Sequence, residues 1–234
     1  MGTTVYIDGL NLYHGALKGT PWKWLDIEAM VRRLLPEDQI DRIHYFTAPV
    51  LATPDDPDAP SRQTVYRRAL QANPLIEIHL GQFTRRVRWR SLAPGRWSDV
   101  TRPRIRPAWL IDLLQRTIER QSDRSTKVRV VLMEEKRSDV NLACRLLEDV
   151  FVDSVPKVLL ISNDADFLEV VRVSVNHGVV TGVVNPSPGR PSSGHLQQAA
   201  DFHLRLRHGL LADCQLPATV IDQRGRQIHR PRDW

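Results

Sequence analysis

The chain has 234 residues, 41% hydrophobic and 26% charged, a balance near the globular average that excludes disordered, collagen-like and disulfide-scaffold classes. Lys and Arg number 33 against 27 Asp and Glu, for a net charge of +6, and 28 of the 33 are arginine. Arginine's planar fork suits phosphate contact and base stacking, so the bias leans toward a nucleic-acid partner, although a GC-rich genome would also favour arginine codons.

The first residues, Met1-Gly-Thr-Thr-Val-Tyr-Ile-Asp8, enter an apolar stretch with no basic segment ahead of it. No secretion signal is read there. No apolar run approaches the roughly 18 residues of a membrane span, so a cytoplasmic protein without membrane contact is expected. Residues 3–7 are a β-branched strand. Residues 26–35 carry Ile27, Met30, Val31, Leu34 and Leu35 at helical spacing and stop before Pro36. A strand over 40–46, a Pro/Asp loop over 53–60, a helix over 62–72 and a strand over 75–80 follow. A basic excursion occupies 85–106, and a helix is predicted over 108–121.

Residues 127–133 form a near-continuous apolar strand. Ser138 is expected to cap a helix whose Val140, Ala143, Leu146, Leu147, Val150 and Phe151 share a face. Cys144 falls on that face as a reduced core thiol, and neither it nor Cys214 has metal or redox spacing. Strands over 157–161 and 179–184 bracket a helix over 165–176. A Pro/Ser/Gly loop over 185–194 reads as a flexible connection, followed by a last helix over 196–207. Apolar strands alternating with amphipathic helices predict an α/β domain over 1–208, with a mostly parallel sheet covered on both faces. Residues 209–234 are read as a tail with a turn at Gln223-Arg-Gly225.

In open α/β sheets ligands bind beyond the carboxyl ends of the strands. Asp8 ends the first strand, Asp139 falls in the first helical turn after 127–133, and Asp164 and Asp166 follow 157–161. Each aspartate alone also suits a helix cap. Together, four carboxylates in one crevice repel unless cations neutralise them. An all-oxygen set selects hard Mg²⁺ or Mn²⁺, ions that activate water and stabilise a leaving oxygen in phosphodiester cleavage.

Tyr6-Ile-Asp-Gly-Leu-Asn-Leu-Tyr13, Glu134-Glu-Lys-Arg-Ser-Asp-Val-Asn-Leu-Ala143 and Leu160-Ile-Ser-Asn-Asp-Ala-Asp-Phe167 resemble the NYN domain, a branch of the PIN-like nuclease superfamily, over about 3–205. The segments Ala199-Ala-Asp-Phe202 and 216–234 resemble bacterial members. The resemblance implies a three-layer α/β/α fold and a Mg²⁺- or Mn²⁺-dependent ribonuclease. Asp8, Asp139, Asp164 and Asp166 stand at the family's metal-binding acids and Asn11 at its active-site asparagine, while Lys136 points to substrate phosphate or a neighbouring acid. Ala165 replaces a frequent serine, and Arg137 a common glycine, which adds positive charge at the crevice edge.

Gly189-Arg-Pro-Ser-Ser-Gly194 lacks the Lys-Ser/Thr of a phosphate loop. No Gly-x-Gly-x-x-Gly follows a strand, and no Gly-x-Ser-x-Gly elbow exists. The eight histidines show no ligand spacing, and His14, near the first motif, is read as a surface or packed residue. Within 85–106, eight arginines against Asp99 carry +7, interleaved with Trp89 and Trp97. Arg85, Arg86, Arg88 and Arg90 alternate as on a strand that turns back at Pro94-Gly95. Such a segment can hold phosphates and stack unpaired bases, which suits single-stranded or looped RNA; a solvated hairpin is the structural alternative. The function expected is a metal-dependent endoribonuclease. An RNA-binding module without turnover and a partner-regulated toxin or defence effector are the alternatives, and a homodimer or a regulatory protein partner is compatible with each.

Overall fold

The computed structural model describes residues 2–91 and 127–234. The helix expected over 108–121 and the turn at Pro94-Gly95 lie outside the described residues, as do the side chains of Arg85, Arg90 and Lys136. The first half contains β1 (Gly2–Asp8), α1 (Gly9–Leu12, prolonged by a wide turn over Tyr13–Leu17), α2 (Ile27–Leu34), β2 (Gln39–Thr47), α3 (Ala59–Gln71), β3 (Ile76–Leu80) and β4 (Gln82–Ser91). The second contains β5 (Lys127–Lys136), α4 (Ser138–Phe151), β6 (Lys157–Ile161), a 3₁₀ turn Ala165–Phe167 leading into α5 (Leu168–Asn176), and β7 (Val180–Asn185). It closes with α6 (Gly194–Ala199), β8 (Phe202–Arg205), α7 (His208–Asp213), β9 (Thr219–Ile221) and β10 (Gln227–His229).

Six strands form one sheet in the order β3-β2-β1-β6-β7-β8, and every pairing is parallel. Alternation along the strands builds two cores. Val5, Ile7, Leu159 and Ile161 face a layer made of α2, α3, α7 and the C-terminal hairpin, with Met30, Tyr66, Leu70 and Leu211. Tyr6, Phe46, Val158 and Leu160 face α4, α5 and α6, with Leu142, Leu146, Phe167 and Leu196. This is the three-layer α/β/α arrangement expected. Gly182 of β7 lies against the Phe202 ring, and any Cβ there would overlap it.

Several local expectations are corrected. The first helical residue of α4 is Ser138, while the cap position is Arg137, at φ 81°. The buried face of α4 runs through Leu142, Leu146, Asp149 and Val150; Val140, Phe151 and Cys144 are exposed. A buried aspartate on that face rotates it away from the one hydropathy predicts. Residues 196–207 are not one helix: α6 ends at Ala199, and β8 extends the sheet, entered where Asp201 accepts the Thr181 N–H at 2.7 Å. Phe202 and Leu204 alternate toward the core there. The strand expected over 127–133 exists as β5, yet it pairs with β4 in a separate two-stranded sheet. An apolar run alone does not distinguish those settings.

Thr84–Glu134 forms one compact unit and the rest of the chain another. Within the larger unit, 209–234 packs into the first core. Trp24 is fully buried and donates its Nε1–H to the Pro217 carbonyl at 2.8 Å; Trp234 packs edge-on against Trp24 and Tyr66. The turn read at 223–225 joins β9 to β10, with Gly225 at φ 75°.

Candidate active site at the carboxyl end of the sheet

The sheet has a switch point between β1 and β6: later strands add outward from β1 on one side and from β6 on the other. A crevice opens beyond the strand ends at such a point. The pairing Ile7↔Ile161 sets Asp8 and Ser162 abreast at its floor. Asp8 is buried and caps α1, accepting the Asn11 N–H at 2.9 Å and the Ser162 hydroxyl at 3.1 Å. Ser162 Oγ in turn accepts the Asp164 N–H at 3.2 Å, and the Asn11 side-chain oxygen accepts the Asn163 N–H at 3.3 Å. Asp164 caps the 3₁₀ turn through the Asp166 N–H at 3.0 Å. The cap role and the site role therefore fall on the same aspartates. Burial and the charge of Asp8 push the nearby Tyr45 phenol up.

Asn11, Asn163 and Asp164 line a cleft of about 460 Å³ together with His14, Lys18, Ser187 and Arg190. Cations thus stand in the same cavity as the acid, a setting suited to a phosphodiester. Sequence reasoning overlooked Ser162, Lys18 and Arg190, and it read His14 as a surface or packed residue near the first motif. The loop read as a flexible connection is pinned. The Asn185 amide donates to Arg190 O and Ser192 Oγ, both at 3.0 Å; the Asn163 amide donates to Pro191 O at 3.1 Å, and Asn163 Oδ1 accepts the Ser193 N–H at 2.7 Å. Asparagine's paired donor and acceptor make such clasps, a signal present in the sequence but unread.

Asp139 is half-buried in the first turn of α4, Asp166 is exposed, and Arg137 is exposed at the cap position of α4. On β4, Arg86, Arg88 and Trp89 are exposed, Trp89 by 66%. Oxygen donors from Asp8, Asn11, Asp139, Asp164 and Asp166 suit a hard dication. Among the described residues no three of these acids bring ligand atoms within 4.8 Å of one another. Mg²⁺ characteristically takes one or two carboxylates plus waters and substrate phosphate, and this donor set fits that mode.

A second polar cluster corrects the reading of the histidines as scattered. His44 of β2 and His79 of β3 meet, Nδ1 to Nε2, at 2.9 Å, with Glu77 alongside. Behind His44, the buried Asp149 of α4 accepts the Tyr6 hydroxyl at 2.5 Å and pairs with Arg145 at 2.6 Å. Burial, and then the neighbouring His79, holds the His44 imidazole down at about 4. Burial lowers His79 as well, and burial with the Asp149 hydrogen bond pushes Tyr6 up. Thirty-five residues separate the two histidines, so no local spacing announces them.

The fold is a three-layer α/β/α domain with acids at the switch point of its sheet. The NYN domain model matches residues 97–206, so the chain is similar to that family over this segment. The match begins after Asp8 and Asn11, which the sheet brings to the matched segment. A curated relative, 6-hydroxy-3-succinoylpyridine 3-monooxygenase HspA of Pseudomonas putida, is 28% identical over 99% of this chain and 75% of its own length. A solved structure, a protein of unknown function from Vibrio parahaemolyticus, superposes with a TM-score of 0.50 at 14% identity, covering 92% of this chain and 96% of that one. It attests the fold alone.

Proposed function

We propose that the chain is a Mg²⁺- or Mn²⁺-dependent endoribonuclease. The observation that carries this reading is the pair of acids at the switch point, Asp8 and Asp164, joined through Ser162, with Lys18 and Arg190 in the cleft that Asp164 lines. Asp8 and Asp164, aided by Asp139 and Asp166, would hold the ion. When bound, it lowers the pKa of water and stabilises the leaving oxygen. Ser162 and Asn11 fix the β6 turn against α1 and so set the direction of the Asp164 carboxylate. Lys18 and Arg190 draw the phosphate into the cleft by charge. On β4, Arg86 and Arg88, with Arg85 and Arg90, supply backbone contacts to single-stranded or looped RNA, and Trp89 a stacking face; Lys136 and Arg137 add phosphate contacts.

Incubation of the purified protein with cellular RNA and Mg²⁺, Mn²⁺ or chelator tests this. Metal-dependent cutting that Asp164→Asn abolishes, with RNA binding retained, supports it. Absence of cutting in wild type with either ion sinks it, and binding without cutting leaves an RNA-binding module. A second reading, oxidation of a small N-heteroaromatic acid, is favoured by the alignment with HspA across 99% of the chain. Substrate-dependent oxygen uptake in the presence of a reductant would support it.

A further inference from the structure

Away from the cleft, β3 forms one edge of the sheet. Its parallel register with β2 sets Glu77 beside His44 and His79 beside Phe46. Side-chain alternation sends both histidines and the glutamate to one face. His44 Nδ1 and His79 Nε2 are 2.9 Å apart, and Glu77 oxygens lie 3.5 Å from the first and 3.7 Å from the second. All three ligand atoms fall within 4.8 Å of one another. Donors bound tetrahedrally at about 2.0–2.2 Å from one ion stand roughly 3.3–3.6 Å apart, so the set needs only a small adjustment to enclose one.

The far side of His44 supplies a second observation. Its Nε2 is buried without a hydrogen-bond partner, 3.4 Å from Asp149 Oδ2. Asp149 is itself held by Tyr6 and Arg145, so the carboxylate stays in place. A carboxylate facing Nε2 favours the tautomer protonated there, and that leaves the Nδ1 lone pair directed at His79 and Glu77. Metal-ligating histidines have this arrangement, with a carboxylate behind the ring and a lone pair in front. Without an ion, the Glu77 carboxylate faces two imidazoles at separations too long for good hydrogen bonds.

We infer that His44, Glu77 and His79 form a site for a first-row transition-metal dication such as Zn²⁺. Two imidazoles and one carboxylate are the donors these ions prefer, unlike the all-oxygen cleft. Three protein ligands leave a coordination position at the sheet edge, where Glu77 is 54% exposed. The site is independent of the nuclease reading.

The test strips the full chain with chelator and titrates it with Zn²⁺, following heat and thermal midpoint, with Co²⁺ absorption reporting nitrogen ligation. A single equivalent should bind and raise the midpoint. His79→Ala should abolish that equivalent, Glu77→Gln should weaken it roughly tenfold or more, and Asp164→Asn should leave it unchanged. Both ligand variants lie on the partly exposed edge strand, and circular dichroism confirms their folding. Failure of wild type to take up Zn²⁺, survival of the equivalent in both His79→Ala and Glu77→Gln, or its loss in Asp164→Asn overturns the assignment.

Discussion

Two polar regions lie on this sheet, and they are built differently. At the switch point the carboxylates hang on turns: Asp8 and Asp164 each cap the turn that follows its own strand, and one serine hydroxyl ties the two turns together. At the β2–β3 edge, Tyr6, His44 and Asp149 are buried side chains held by packing, and the Tyr6–Asp149 bond joins residues 143 positions apart. In the first region Asp8 is buried at the floor and Asp164 lines the open cleft. The second is part of the core and ties charge state to stability. Substitutions should therefore separate them, one region answering in chemistry and the other in folding.

The largest effect is expected at Asp149. Asp149→Ala leaves the buried Tyr6 hydroxyl without its acceptor and removes the Arg145 partner that lies inside the core. Loss of about 3–5 kcal/mol of stability is expected, read by denaturant unfolding, with cleavage per folded molecule unchanged. A loss below about 1 kcal/mol would mean the network is not structural.

Acidification probes the same region without mutation. His44 in the fold sits near 4, below its unfolded value of about 6.5, so between those values the unfolded chain holds the extra proton. Stability of the metal-free protein should be full above about pH 6.5 and decline as pH falls toward 4, by up to about 3 kcal/mol. His44→Gln should flatten that decline in unfolding curves taken at several pH values.

In the cleft, Asp8→Asn separates charge from capping, because asparagine caps a helix as well as aspartate does. Metal-dependent cleavage should fall on the order of a hundredfold, about 2.7 kcal/mol in the barrier, while the thermal midpoint barely moves. A midpoint drop in proportion to the lost activity would assign Asp8 to the scaffold. The smallest effect is expected for Ser162→Ala, which breaks the tie between the turns. It should cost about 1–2 kcal/mol of stability and some tenfold in activity, the one substitution to register on both scales.

The contrast also explains what the sequence disclosed. Apart from β8, the strands of the main sheet read clearly because each is a short run rich in β-branched residues. Asp8-Gly-Leu-Asn11 and Ser162-Asn-Asp164 read clearly because a turn keeps its functional atoms adjacent in the chain. β8 was hidden inside a predicted helix, since four residues behind an Ala-Ala pair carry too little alternation to announce a strand. The face of α4 was misjudged because Asp149 is buried by partners on β1, β2 and its own helix, none visible in a periodicity count. Arg190 was passed over because clasps from Asn163 and Asn185 turn a Pro/Gly stretch into a fixed wall. The alternation read over 85–90 corresponds to β4.

The burial of Trp24 has a consequence in time. Its indole rests on Pro217 and packs against Trp234, so one wall of the first core is supplied by residues made almost two hundred positions later. During synthesis the pocket around Trp24 stays open until those residues have left the ribosome. Contacts of such long sequence separation also slow folding.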